Sequence, residues 1–309
     1  MTEFIKYLEE KDLAPRTQEG YTKYVETFFK WVKTEAEQVT KPDILRYLEY
    51  LKKKKGLQNI TRQNHLIVLN HYFTYLYKAG EIDKNPCAFL KLRGTQKKKL
   101  HKIYTPEELD TLFDNYYQVF FRNYDDSHHR CNAQKRYSKL CRERNVLIMS
   151  ILFNQGVITA EIGKIELNDV DLSKATLKIR GRKRCKDRVL PIKATQIGLF
   201  INYLQNIRPQ LVEHQAKESD KLLLSLPAAH HKTAEKDISG NVFTRLIKQV
   251  KSIDNQFINF IQIRTSIITF WVKNYGLRKA QYLAGHRYIS ATERYIANNL
   301  DNLLTILIN

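Results

Sequence analysis

Between Thr17 and Thr34, the residues Tyr21, Tyr24, Val25, Phe28, Phe29 and Val32 recur at spacings of three and four. That period lays an aromatic stripe along one face of an amphipathic helix and predicts a packed core beneath it. A second helix begins at Pro42, carries Ile44, Leu45, Leu48 and Leu51 inward, and runs out in Lys52-Lys53-Lys54-Lys55-Gly56. A third spans Thr61 to Lys78, with Leu66, Leu69, Tyr72, Phe73 and Leu76 inward, and stops at Ala79-Gly80 before an Asn85-Pro86 turn. Everything up to Leu92 therefore reads as a small helical bundle, with Lys23, Lys30 and Arg62 expected on its outside.

The pattern changes after Leu92. Residues 93–102 are polar and basic and read as a linker, so residues 1–92 form one expected domain and residues 103–309 a second. Thr105-Pro106-Glu107-Glu108 opens a helix, with Thr105 as N-cap, Pro106 at the first helical position and Glu108 closing a capping box. Asn123 to Glu143 is polar and reads as an exposed insertion, whereas Asn145 to Asn154 is apolar enough to be a buried helix. Thr176–Arg180 and Arg188–Ile192 are two short strand-like runs joined by a cationic turn, and Pro191 belongs at a strand end. Further helices are expected over Gln196–Asn206, Asn241–Val250 and Asn259–Tyr275, while residues 227–240 carry no readable pattern. The fold class is mainly α with a small antiparallel sheet, an α+β arrangement.

Charge narrows the function classes. Fifty-two Lys and Arg against 32 Asp and Glu leave a formal net charge of +20, far beyond what solubility needs, which points to a polyanionic partner. The charge is clustered: Lys91, Arg93, Lys97, Lys98, Lys99 and Lys102 share one stretch without acids, and Lys178, Arg180, Arg182, Lys183, Arg184, Lys186 and Arg188 share another opposed only by Asp187. Lys97, Lys98 and Lys99, and Arg182, Arg184, Lys186 and Arg188, are the expected phosphate contacts of a nucleic-acid footprint. The four cysteines form no Cys-x-x-Cys pair and suit a reducing cytoplasm. His128, His129, Cys131 and Cys141 have metal-binding side chains but match none of the usual structural zinc spacings, so no metal is expected. The charged N-terminus is no signal peptide, and the longest apolar runs are too short to span a bilayer.

The candidate chemistry lies near the C-terminus: Arg264, then Leu283-Ala284-Gly285-His286, then Tyr295 nine residues after the histidine. A tyrosine hydroxyl, with a free pKa of about 10, attacks a phosphate only where positive charge has been concentrated around it. Arg264 and His286 are suited to begin that concentration. This tail resembles the C-terminal box of the tyrosine recombinases, the phage-type and Xer-type integrases, with one inserted Ala in the Leu-Gly-His turn. The resemblance extends to the N-terminal bundle, which is similar to the SAM-like core-binding domain of that family down to Gly80 and Asn85-Pro86. It also extends to the hairpin, where Asp187-Arg188 resembles the family's Glu-Arg and places the family's proton-donating lysine at Lys183. Arg182, Arg184 and Lys186 are alternative reaching groups on the same turn.

What the resemblance implies is a site-specific recombinase that wraps duplex DNA between its two domains. Tyr295 would form a 3′-phosphotyrosyl link, Arg264 and His286 would stabilise the phosphoryl oxygens, and Lys183 would protonate the leaving 5′ oxygen. It implies neither ATP nor metal, a homo- or hetero-tetramer on two DNA sites, a mobile-element setting, and no separate arm-binding module. Two charge-bearing positions depart from the family pattern: Ile158 stands where the first arginine is usual, although Glu161 is kept, and Ile261 stands where a histidine is usual, with Thr265 where another is common. Arg182, Arg184 and Arg294 are the candidates for a substitute, and without one cleavage is expected to be slow. The rival readings are a catalytically degenerate DNA-binding protein of the same fold, favoured by Ile158, and a basic helical RNA-binding protein, favoured by composition alone.

Overall fold

The computed structural model describes residues 1–94, 102–129, 131–181, 185–227, 238 and 240–296. The chain divides into two compact units, Met1–Leu100 and His101–Asn309.

In the first unit four helices follow one another: α1 (Thr2–Glu10), α2 (Pro15–Val32), α3 (Lys41–Lys53) and α4 (Asn59–Ala79). The aromatic stripe does form the core. Phe28, Tyr47, Leu69 and Phe73 are completely buried, and the Phe28 ring meets Tyr47 edge-on at 5.0 Å. Such pairs add about 0.5–1.5 kcal/mol beyond their area burial. α3 is opened by Asp43, whose carboxylate accepts from the Thr40 amide (2.9 Å), and α4 ends at Gly80. Asn85 holds the following turn: its amide donates to Asn70 and Thr74, and its carbonyl oxygen accepts from the Cys87 amide. Two features differ from expectation. The helix α1 buries only Phe4 and Leu8, too few positions for periodicity to show it. Arg62, expected on the outside, is buried, with Nε donating to the Leu48 carbonyl (2.9 Å) and Nη1 to Asn59 (2.8 Å). Its charge serves the bundle, while Lys23 and Lys30 remain exposed.

In the second unit, α5 (Pro106–Tyr117) starts with the expected capping box between Thr105 and Glu108. Its neighbour α6 (Asn132–Gln155) runs through the core, and from Val146 to Phe153 every residue is buried. α6 begins well before the expected Asn145, because its first turns carry charged residues on an exposed face and so lack an apolar stripe. Beyond it come α7 (Thr159–Ile162) and an antiparallel sheet of β1 (Val170–Asp171), β2 (Thr176–Ile179) and β3 (Arg188–Pro191), in that order. The β2–β3 register pairs Leu177 with Leu190 and Ile179 with Arg188. On β3, position 188 faces in, 189 out and 190 in.

The remaining helices are α8 (Ala194–Asn202), α9 (Arg208–Val212), α10 (Gly240–Ile253), α11 (Phe260–Ala284) and α12 (Ser290–Glu293). α11 is capped by the Asn259 side chain, which accepts from the amides of Ile261 and Gln262, and it breaks at Gly276 (φ 77°, ψ 166°). That conformation is open to glycine alone at little cost, so the expected end of the helix at Tyr275 marks the break, and a second helical piece carries the chain on to Ala284. Among the described residues no helix is long and apolar enough to cross a membrane.

Candidate active site

Arg264 lies on the inward face of α11 and is almost wholly buried. Its Nη1 donates to the carbonyl of Gly156 at 2.5 Å and its Nη2 to the carbonyl of Ala284 at 2.7 Å. Those carbonyls close α6 and α11, so one cation sits at two helix C-termini, where the partial negative charge of the peptide dipoles favours it. A guanidinium has five N–H donors, and Nη2 also approaches His286 Nε2 at 3.5 Å.

His286 follows the left-handed Gly285 that terminates α11. Its Nδ1 lies 2.9 Å from the hydroxyl of Thr292, and its ring stacks on that of Tyr295, 5.8 Å between centroids at 21°. The tail folds back here because the short helix α12 buries Thr292 completely, and the Tyr295 amide donates to the Thr292 carbonyl at 3.0 Å. Burial, then the charges of Arg264 and Arg188, push the imidazole down to about 4.

Beneath this group lies a buried ion pair. Arg188 Nη1 and Nη2 donate to the two oxygens of Glu161 at 2.8 and 3.1 Å, and neither side chain is exposed at all. Glu161 Oε2 also accepts from the Ile158 amide (3.0 Å) and stands 3.7 Å from Arg264 Nη1. Burial pulls the Glu161 carboxyl up, but the Arg188 fork, the Ile158 amide and Arg264 together outweigh it and hold the group below its usual range. Burial likewise lowers Arg264, against the opposing pull of Glu161.

The structure thus brings Arg264, His286 and Tyr295 together, and it sets Cys185 and Lys186 beside them. Cys185 bridges His286 in antiparallel fashion, and the Lys186 amide donates to the Gly285 carbonyl at 2.9 Å. Lys186 is exposed, as is Arg294. Lys183, Arg182 and Arg184, with Lys97, Lys98 and Lys99 of the linker, lie outside the described residues. Arg188 requires a correction: expected as a surface phosphate contact, it is buried because β3 turns it to the same face as Leu190 and Glu161 neutralises it there. Two contributors escaped the sequence reading, Arg188 in this inward role and Thr292. For Arg188 a signal existed, since position 188 is two before the apolar Leu190 on a strand of period two. Ile261 projects from α11 with 66% exposure, and Ile158 is half-buried at the start of α7. No group of three His, Cys, Asp or Glu that could hold a metal occurs among the described residues. Near the possible zinc side chains, Asp126 instead pairs with Arg142, whose guanidinium lies over the Tyr124 ring.

Comparison with known proteins shows the family of the chain. Residues 1–80 match the N-terminal SAM-like domain of phage integrases, and residues 127–301 match the phage integrase family. The chain belongs to that family, the tyrosine recombinases, which cut and rejoin DNA. It is 23% identical to tyrosine recombinase XerC of Oceanobacillus iheyensis, over 97% of this chain and 92% of that protein. It is 24% identical to tyrosine recombinase XerD of Lacticaseibacillus casei, over 99% of this chain and 96% of that one. Among solved structures, the XerH recombinase bound to a palindromic difH substrate after cleavage superposes with a TM-score of 0.67 at 18% identity, covering 96% of this chain and 80% of that one. A lambda integrase dimer bound to a COC′ core site gives 0.59 at 14% identity, covering 95% and 93%.

Proposed function

We propose that this chain cuts and rejoins duplex DNA at a specific site through a covalent link to Tyr295, in the service of a mobile element. The observation that carries the reading is the stacking of Tyr295 on His286, which itself abuts Arg264, so that a nucleophile and two phosphate-binding groups meet at one point. In the forward step Tyr295 Oη attacks the scissile phosphorus and passes its proton to water. A 3′-phosphotyrosyl bond forms, the bond from phosphorus to the 5′ oxygen breaks, and Lys183 delivers a proton to that oxygen. Rejoining is the reverse attack by the 5′ hydroxyl. Arg264 and His286 stabilise the non-bridging oxygens, a contribution of about 2.7–4 kcal/mol for one well-placed donor. No bond energy is lost between the two steps, so the cycle needs no nucleotide.

Duplex DNA is the proposed partner, supported by the +20 charge and by the DNA-bound state of the XerH and lambda integrase structures. The proposed linker of residues 93–102 and the hairpin carry the phosphate contacts, and the working assembly is a tetramer on two sites. Ile158 favours the second reading, a DNA-binding relic without cleavage. A nicked duplex carrying a site selected by binding separates them, because the nick lets the released strand diffuse away and traps the adduct. The native protein should then form a covalent complex, and Tyr295→Phe should bind the same duplex and form none. Binding without any adduct from the native protein would leave the relic; an adduct from the Phe variant would move the nucleophile elsewhere.

A further inference from the structure

The buried ion pair is tied to the backbone of the residue that stands where the family's first arginine is usual. Ile158 presents its backbone N–H to Glu161 Oε2, and the other side of that carboxylate is taken by Arg188, which reaches in from β3. Arg264 is the next cation, at 3.7 Å from Glu161, beyond the 2.8 and 3.1 Å of the Arg188 fork. Three buried charges therefore sum to a single positive one. Without Arg188 they would sum to zero, and Glu161 would have Arg264 as its one close cation among the described residues. A carboxylate so placed would neutralise the arginine that the phosphate needs.

The geometry points to Arg188 as a positioning residue of this site: by occupying both oxygens of Glu161 it leaves the charge of Arg264 available to a phosphate. Two further observations fit. Among the described residues Arg188 Nε is buried without a hydrogen-bond partner, so the guanidinium is held there by its carboxylate and by the shape of the site rather than by full donor satisfaction. Gly285, the residue before His286, leaves room for it: a Cβ at 285 would sit 2.6 Å from Arg188 Nη1. The competing account is a fastening of β3 to α7 that serves stability alone.

The test rests on the cleavage reading for its rates and on a titration that does not. Arg188→Met should slow adduct formation by about a hundredfold, in the range for one lost cationic donor. Adding Glu161→Gln restores the net charge of the buried group, so the double variant should recover to within about tenfold of native. In parallel, the His286 ring, which lies near Arg264, Arg188 and Glu161, stacks on Tyr295 and contacts the Thr292 hydroxyl, is titrated by NMR. Arg188→Met should move it up from about 4 toward its ordinary value, and the double variant should bring it back. A native rate in Arg188→Met, or a folded double variant as slow as the single one, would overturn the proposal. Should the single variant not fold, the double variant decides alone, by activity within tenfold of native or its absence. If the native protein forms no adduct, the cleavage reading falls, and the Arg188 proposal still stands or falls on whether the His286 titration moves as described.

Discussion

Thr292 touches His286 and Tyr295 by different atoms: its hydroxyl lies 2.9 Å from His286 Nδ1, and its carbonyl accepts the Tyr295 amide at 3.0 Å. One fully buried residue therefore fixes the plane of the imidazole and the start of the turn that carries the tyrosine. The Thr292 hydroxyl can donate to Nδ1, and the neutral ring then carries its proton on Nε2, the side that faces Arg264, where it can be offered to a phosphoryl oxygen.

Thr292→Val keeps the volume and removes the hydroxyl. A net hydrogen bond is worth about 0.5–1.5 kcal/mol, so adduct formation should slow by up to about tenfold with duplex binding unchanged. Thr292→Ser, which restores the hydroxyl and gives up a methyl, should recover most of the rate while being the less stable of the two. If Val and Ser variants react equally fast on the nicked duplex, the contact does not orient His286.

Gly285 is bound to its identity by two separate constraints. Its φ of 69° costs a residue with a Cβ about 1–2 kcal/mol, and the added atom would press on a guanidinium that is buried and pinned to Glu161. Gly80 shares the conformation (φ 77°) with nothing within 4 Å of its missing Cβ. Urea unfolding of Gly285→Ala and Gly80→Ala should therefore show the first losing clearly more, by at least about 1 kcal/mol, a typical cost of overpacking. Equal losses would mean that Arg188 yields freely.

The contrast between these residues explains what the sequence could and could not disclose. Helices with a continuous apolar stripe, such as α2 and α4, were legible because one period sets both their local structure and their packing. The hairpin was legible from Thr176 and Arg188 outward, and Arg264, His286 and Tyr295 from their order and spacing. Arg188 was hidden among seven cations of which most had reason to face solvent; only the alternation with Leu190 separates it from them, and its partner Glu161 is 27 residues away in sequence. Thr292 gave no signal, because a buried hydroxyl is recognised by its partner and not by its own pattern. The first turns of α6 carry no apolar stripe, because their charges lie on an exposed outer face, and so resemble an insertion in sequence.

The depressed imidazole makes a prediction about pH. His286 takes up a proton near pH 6.5 in the unfolded chain but only near about 4 in the folded one, so between those values the unfolded state binds a proton that the native state refuses. The stability that comes from keeping His286 neutral is therefore fully present above about pH 6.5 and drains away as the pH falls toward about 4. Each pKa unit corresponds to about 1.4 kcal/mol, and because the ring is only half-buried, solvent screening reduces the total to about 1–2 kcal/mol. His65 and His71, also lowered by burial, add to the acid sensitivity in the first unit, as does protonation of the paired carboxylates at the lower end. These contributions are common to the native protein and to His286→Gln, whose side chain cannot take a proton in this range. Urea unfolding at pH 7.5 and at pH 5 should accordingly show the native protein losing more stability than His286→Gln across the interval. An equal loss in both would mean that the imidazole is not held neutral by its burial and by the charges of Arg264 and Arg188, and the electrostatic picture of the site would have to be redrawn.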